Sequence, residues 1–201
     1  RLFLKANVYL PEDIKECIKS FEKKETNPVG RNILKNLELN YKAAEKNNIP
    51  ICQDTGMAVV FVEIGQDVHV ADGLLSDAVN DGVREAYDVG YFRKSVVIDP
   101  LDRVNTKDNT PAIIYTQLVR GDKIKISVMP KGFGSENMSR IKMLKPSDGL
   151  QGVKDFVVRT VEEAGPNPCP PIVVGVGIGG TFDKAALLAK KALLRPVDER
   201  N

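Results

Sequence analysis

A nearly unbroken apolar run, residues 57–64, stands between Gly56 and Gly65. It is rich in Val and Phe and reads as a strand. The segments around it have a different period. Leu10-Pro11-Glu12-Asp13 is a helix start, with proline in the first turn and acids near the positive end. Ile14, Cys17, Ile18 and Phe21 follow at i, i+3, i+4 and i+7, one apolar stripe. A second helix opens near Gly30. Leu34, Leu37, Tyr41 and Ala44 mark its buried face, and Asn47-Asn48 end it.

Beyond the strand, Ser76 caps a helix carrying Val79, Val83, Ala86 and Tyr87, which Gly90 closes. Residues 95–98 read as a short strand and 99–111 as an ordered polar loop. Residues 112–119 and 123–129 flank Arg120-Gly121-Asp122, a hairpin signal. A glycine loop at 130–135 leads into a helix that Pro146 stops after Lys145. Another helix carries Leu150, Val153, Phe156, Val157 and Val161. A buried strand at 172–176, a glycine cluster and a last helix over 182–194 complete the pass. This mixture predicts an α+β fold: a mixed sheet with an antiparallel hairpin, packed with several helices. There is no internal repeat and no clear linker, so 1–201 reads as one domain. The polar stretch 195–201 reads as the start of a connection, which makes that domain C-terminally incomplete.

Composition narrows the function classes. Of 201 residues, 42% are hydrophobic and 28% charged, which is ordinary globular usage. The net charge of +2 gives no reason to expect nucleic acid or an acidic membrane as partner. No run approaches the roughly 18 apolar residues of a membrane span. The 3 cysteines are odd in number and irregular in spacing, unlike a disulfide framework, and suggest a reduced, cytoplasmic protein.

The cysteines differ in setting. Cys17 lies on a helical apolar stripe and reads as a small buried hydrophobe. Cys52 sits beside Gln53, Asp54 and Thr55 in a turn framed by Pro50 and Gly56, so thiol, amide, carboxyl and hydroxyl crowd together. Cys169 stands between Pro168 and Pro170-Pro171 on a stiff, non-helical backbone. Structural zinc needs ligand pairs at close spacing, and there are none. Two lone thiols on rigid loops suit an iron–sulfur cluster better. The glycine cluster at 175–180 lacks both the dinucleotide-binding spacing and the lysine of a phosphate loop. Close backbone packing and an anion site at a helix start are its two readings. Arg93, after Tyr91-Phe92, is either a bidentate carboxylate binder or a surface arginine. His69 reads as a solvent-facing residue on an alternating stretch.

Taken together, several segments resemble the class I, iron–sulfur-dependent fumarate hydratases and their tartrate dehydratase relatives. They are Cys52-Gln53-Asp54-Thr55-Gly56, Arg93-Lys94-Ser95, Asn105-Thr106, Asp108-Asn109-Thr110-Pro111, Gly134-Ser135-Glu136-Asn137, Lys145-Pro146-Ser147-Asp148-Gly149, Pro168-Cys169-Pro170-Pro171 and Gly175-Val176-Gly177-Ile178-Gly179. They occur in the family's order from about residue 28 onward. The chain resembles an alpha subunit or N-terminal region.

The resemblance implies a [4Fe-4S] cluster held by three cysteines, with an open iron as Lewis acid. Cys52 and Cys169 match the first two ligand positions. The third is expected beyond Asn201, and Cys17 does not match it. Gln53, Arg93 and the backbone at Gly134 match dicarboxylate contacts, and Asp54 matches a catalytic position in proton transfer. Lys131 and Phe133 stand where the family's glycine loop has glycines. The implied reaction is reversible hydration of fumarate to L-malate, a step of the tricarboxylic acid cycle. The alternatives are an L-tartrate dehydratase alpha subunit and a non-catalytic scaffold without a cluster. The implied partners are a beta subunit carrying the C3 base, the dicarboxylate substrate and further subunits of an oligomer.

Overall fold

Three strands form one sheet in the order β2-β1-β3: β1 is Met57–Gly65, β2 is Ile113–Val119 and β3 is Ile124–Lys131. In this computed structural model residues 1–197 and 199 are described. The chain divides into two units, Arg1–Lys131 and Gly132–Asn201. Among the described residues there are six helices of seven or more residues, one single-turn helix and one 3-10 turn. The fold is α+β with a mixed sheet, as the sequence predicts.

The first unit contains the sheet. β1 runs parallel to β2 and antiparallel to β3, with Val60 opposite both Ile114 and Val128. The two strands expected to pair as a hairpin therefore flank β1 instead. Their connection closes over the end of β1. The Gly65, Gln66 and Asp67 amides donate to the carbonyls of Lys123, Val119 and Gly121 at 2.9, 2.8 and 3.0 Å. The reason lies in composition. β1 is apolar almost throughout, so the central place, with both edges paired, suits it. β2 and β3 carry Thr116, Gln117 and Lys125, which suit edges.

Helices α1 (Leu2–Val8) and α4 (Leu75–Val89) cover one face of this sheet. Their Phe3, Val83, Ala86 and Tyr87 join Ala58, Val60, Val62, Phe92 and Ala112 in the main core. The sequence pass missed α1. Only seven residues long and ending before Pro11, it shows too few turns for a stripe. Helices α2 (Glu12–Lys24) and α3 (Pro28–Asn47) pack on each other through Ile18, Leu34 and Tyr41. Phe21, placed on the buried stripe by its spacing, is exposed. α3 begins on Asn27, whose side chain accepts the Val29 amide at 2.9 Å, with Pro28 in its first turn. Residues 95–98 form no strand; a single bridge joins Val97 to Asn105.

The second unit holds α5 (Phe133–Glu136), a 3-10 turn at Pro146–Asp148, α6 (Gly149–Ala164) and α7 (Phe182–Ala192). The helix expected to run to Lys145 is one turn only. Residues 137–145 continue without regular structure, and Ile141 and Met143 are exposed, so no apolar face supports a longer helix there. The buried strand expected at 172–176 joins no ladder among the described residues, and Val173, Val174 and Val176 are exposed. It lies instead on α7. A Cβ at Gly175 would come within 2.1 Å of the Ala189 carbonyl, and one at Gly177 within 2.1 Å of the Ala185 carbonyl. The polar stretch 195–201 falls partly outside the described residues.

Candidate functional site

The Cys52 loop begins where α3 stops. Asn48 takes a left-handed conformation at the helix end, and the chain turns towards β1. Three bonds tie the loop's first half. The Ile51 amide donates to the Asn7 carbonyl at 2.9 Å, and Asn40 donates to the Ile51 carbonyl at 2.8 Å. The Asp54 amide points at the Cys52 sulfur, 3.4 Å away. Asp54 in turn accepts the Gly56 amide at 3.1 Å. Cys52 and Gln53 are exposed and Asp54 half-buried.

The second half of the loop is buried and polar. The Thr55 hydroxyl donates to the Arg93 carbonyl at 2.9 Å, which brings the Arg93 segment beside the Cys52 loop. The Arg93 side chain is exposed, and no hydrogen bond or ion pair among the described residues engages its guanidinium. Tyr87, fully buried, donates its hydroxyl to the Thr55 carbonyl at 2.7 Å, with the Gly56 carbonyl at 3.2 Å. Burial pushes the Tyr87 phenol well above its ordinary pKa, so it stays a donor. Asn109, also fully buried, donates to the Gly56 carbonyl at 3.0 Å and accepts the Ser95 and Val96 amides at 2.8 and 3.1 Å. The loop at 105–111 holds Asn109 there. Asn105 donates to the Lys94 carbonyl at 2.8 Å, and the Thr106 amide donates to the Val96 carbonyl at 3.0 Å. Asp108 accepts the Thr110 amide and hydroxyl at 3.0 and 2.8 Å and pairs with Arg84. Those Thr110 bonds, with Arg84 adding less, lower its pKa to about 2.

Thr55, Tyr87 and Asn109 were not identified as site residues from the sequence. Tyr87 read only as a buried helix position. Its signal was the phenol itself, since a buried tyrosine oxygen needs a partner.

In the second unit, Cys169 is exposed, with a left-handed φ of 58°, and its amide donates to the Pro166 carbonyl at 3.0 Å. Gly134 lies in α5, where a Cβ would come within 3.0 Å of the Asn167 carbonyl. The glycine loop and the Cys169 loop therefore meet at backbone distance. Glu136, two residues on, pairs with Lys190 of α7 at 2.5 Å. The glycine cluster is accounted for by close packing on α7. Cys17 is half-buried on α2 and His69 is exposed, though not on a strand.

The donor chemistry of Cys52 and Cys169 fits cluster ligation. Both are free, exposed thiols on constrained loops, and an amide hydrogen bond to sulfur of the kind made at Cys52 tunes such clusters. Among the described residues, no three His, Cys, Asp or Glu side chains form a metal-binding group, and no helix is long and apolar enough to cross a membrane.

The model of the fumarate hydratase (Fumerase) family matches residues 1–201, and the chain belongs to that family. It is 46% identical to a Methanocaldococcus jannaschii protein whose name gives it provisionally as L(+)-tartrate dehydratase subunit alpha; the match covers 100% of this chain and 72% of that protein. It is 34% identical to the L(+)-tartrate dehydratase subunit alpha of Escherichia coli strain UTI89, over 96% of this chain and 64% of that one. The Shigella boydii protein of the same name matches equally, at 34%.

Proposed function

We propose that this chain is the alpha-type, N-terminal region of an iron–sulfur hydro-lyase that dehydrates a four-carbon hydroxy-dicarboxylic acid. The observation that carries the reading is the bond from Thr55 to the Arg93 carbonyl. It sets a thiol, an amide, a carboxylate and a guanidinium on two adjoining segments of one unit. The substrate is L(+)-tartrate. The sequence reading placed fumarate and malate first, but the names of the relatives support tartrate more strongly. Malate remains the second reading, favoured by the family's own description.

In this reading Cys52 and Cys169 hold a [4Fe-4S] cluster together with a third cysteine beyond Asn201. The bound cluster supplies Lewis-acid polarisation of the leaving hydroxyl. Arg93 grips one substrate carboxylate through its planar fork. Gln53 orients the other end through its amide, and the Gly134 backbone lines the substrate loop. Asp54, held by the Gly56 amide, gives a proton to the departing oxygen in dehydration and takes one from the incoming water in the reverse direction. The base at C3 belongs to a beta-type partner, so this chain alone is inactive. Residues 1–201 are the alpha-type region of a cytoplasmic enzyme that assembles with that partner.

The test is the assembled, anaerobically reconstituted enzyme. We expect a higher kcat/KM for L(+)-tartrate than for L-malate, and the reverse order establishes the malate reading. Cys52→Ser is expected to lose both the cluster's visible absorbance and the activity. Retention of both in that variant would falsify the ligand assignment.

A further inference from the structure

The polar residues buried beneath the candidate site do more than fill the core. The Tyr87 ring packs between Phe3 and Phe92, whose ring centroids lie 6.4 and 5.5 Å away, and that packing does not call for a hydroxyl. Its hydroxyl goes to the Thr55 and Gly56 carbonyls. Asn109 uses both ends of its amide, one on Gly56 and the other on Ser95 and Val96. Its backbone sits at a left-handed φ of 63°, which asparagine tolerates better than most residues. Each bond ends on the backbone of a segment that carries a site residue at its exposed end. Asp54 and Cys52 lie just before Thr55, and Arg93 just before Ser95.

We propose that Asn109 and Tyr87 are positioning residues that lock the Cys52–Asp54 loop to the Arg93 segment, so that thiol, carboxylate and guanidinium meet a bound hydroxy-dicarboxylate in fixed register. The substrate half of this rests on the hydro-lyase reading; the lock itself does not. Asn109, bonded at both ends, transmits a small shift from one segment to the other, because leaving any of these groups unpaired is costly. Tyr87 holds the loop by its hydroxyl, while its carbonyl accepts the Phe92 amide at 3.0 Å, next to Arg93. Both variants cut the arm that ends on the Cys52 loop and leave the arm on Ser95 and Val96 in place. Tyr87→Phe removes only the hydroxyl. Asn109→Asp keeps an acceptor for the Ser95 and Val96 amides and loses the donor to Gly56. Val83→Ala, one turn earlier on α4 in the same core, is the control for simple destabilisation.

The experiment is amide hydrogen exchange and steady-state kinetics on the full-length chain assembled with its partner. Residues 53–56 are expected to exchange about tenfold faster in both lock variants than in Val83→Ala. In Asn109→Asp the Ser95 and Val96 amides keep their protection. KM for L(+)-tartrate or L-malate is expected to rise about fivefold in both lock variants, with a smaller change in kcat, and to stay near wild type in the control. Equal loosening of 53–56 in Val83→Ala overturns the lock. A loosened loop with unchanged KM overturns its role in substrate binding. If the wild-type assembly turns over neither acid, the hydro-lyase reading and the substrate half fall together, and the exchange comparison still decides the lock.

Discussion

Cys52 and Cys169 are both exposed thiols on loops, and the two units hold them by different means. In the first unit the loop is anchored from below by side chains. Thr55, Tyr87 and Asn109 reach backbone groups 31 to 53 residues away in the chain. They stand on a dense core in which Val59, Val60, Val62 and Val83 are almost wholly buried. In the second unit Ala164 is the one buried apolar residue among those described. Order there comes from the backbone: prolines around Cys169, Gly134 against the Asn167 carbonyl, and Gly175 and Gly177 against α7. A loop held by side chains fails when a bond is removed. A loop held by close backbone contact fails when an atom is added.

That contrast can be broken by adding one methyl group. Gly177→Ala would put its Cβ 2.1 Å from the Ala185 carbonyl and 2.5 Å from the Ala189 amide nitrogen, both backbone atoms that cannot swing aside. We expect a loss of about 3 kcal/mol or more, the upper range of overpacking, with exchange protection lost first in residues 172–192. A variant with an unchanged melting temperature would sink the backbone-contact account. Removing atoms from the first unit should cost nearly as much. Phe3→Ala deletes a ring that ties α1 to the main core and is expected to cost about 3 kcal/mol by denaturant melting. A cost under about 1 kcal/mol would mean that α1 adds little to that core.

The smallest effect concerns pH. The pKa of Asp108 is lowered to about 2, chiefly by the Thr110 amide and hydroxyl. A carboxylate with a depressed folded pKa adds stability above its unfolded value, near 4, and loses that contribution as pH falls through the folded one. Amide protection of residues 105–111 should therefore hold from neutral pH to about 4 and decline between about 4 and 2. Asp108→Asn should flatten that decline. An unaltered acid profile in Asp108→Asn would show that the Thr110 bonds are not what makes the loop acid-sensitive.

The elements with a full stripe were legible in the chain: α2, α3, α4, α6 and α7 lie close to where the spacing of apolar residues puts them. β1 was legible from its composition, and so were the two later strands. Their pairing was not. A short turn between strands predicts a hairpin from local sequence, but the sheet gives the central place to the most apolar strand, and that strand comes from fifty residues earlier. The segment at 172–176 has strand composition and joins no ladder among the described residues, and Gly175 with Gly177 just beyond it lets α7 approach instead.

The site divides in the same way. Short motifs in order along the chain carried the resemblance to the family, and that resemblance made Cys52, Gln53, Asp54, Arg93, Gly134 and Cys169 the candidate site residues. Such chemistry is written in exposed side chains on short motifs, and a motif is local. That Thr55 touches the Arg93 carbonyl, and that Tyr87 and Asn109 meet beneath both, only the tertiary structure decided. A buried hydrogen bond depends on where two distant backbones come to rest. That position is set by the packing of α4 against the sheet and leaves no mark in the spacing of the residues that make the bond.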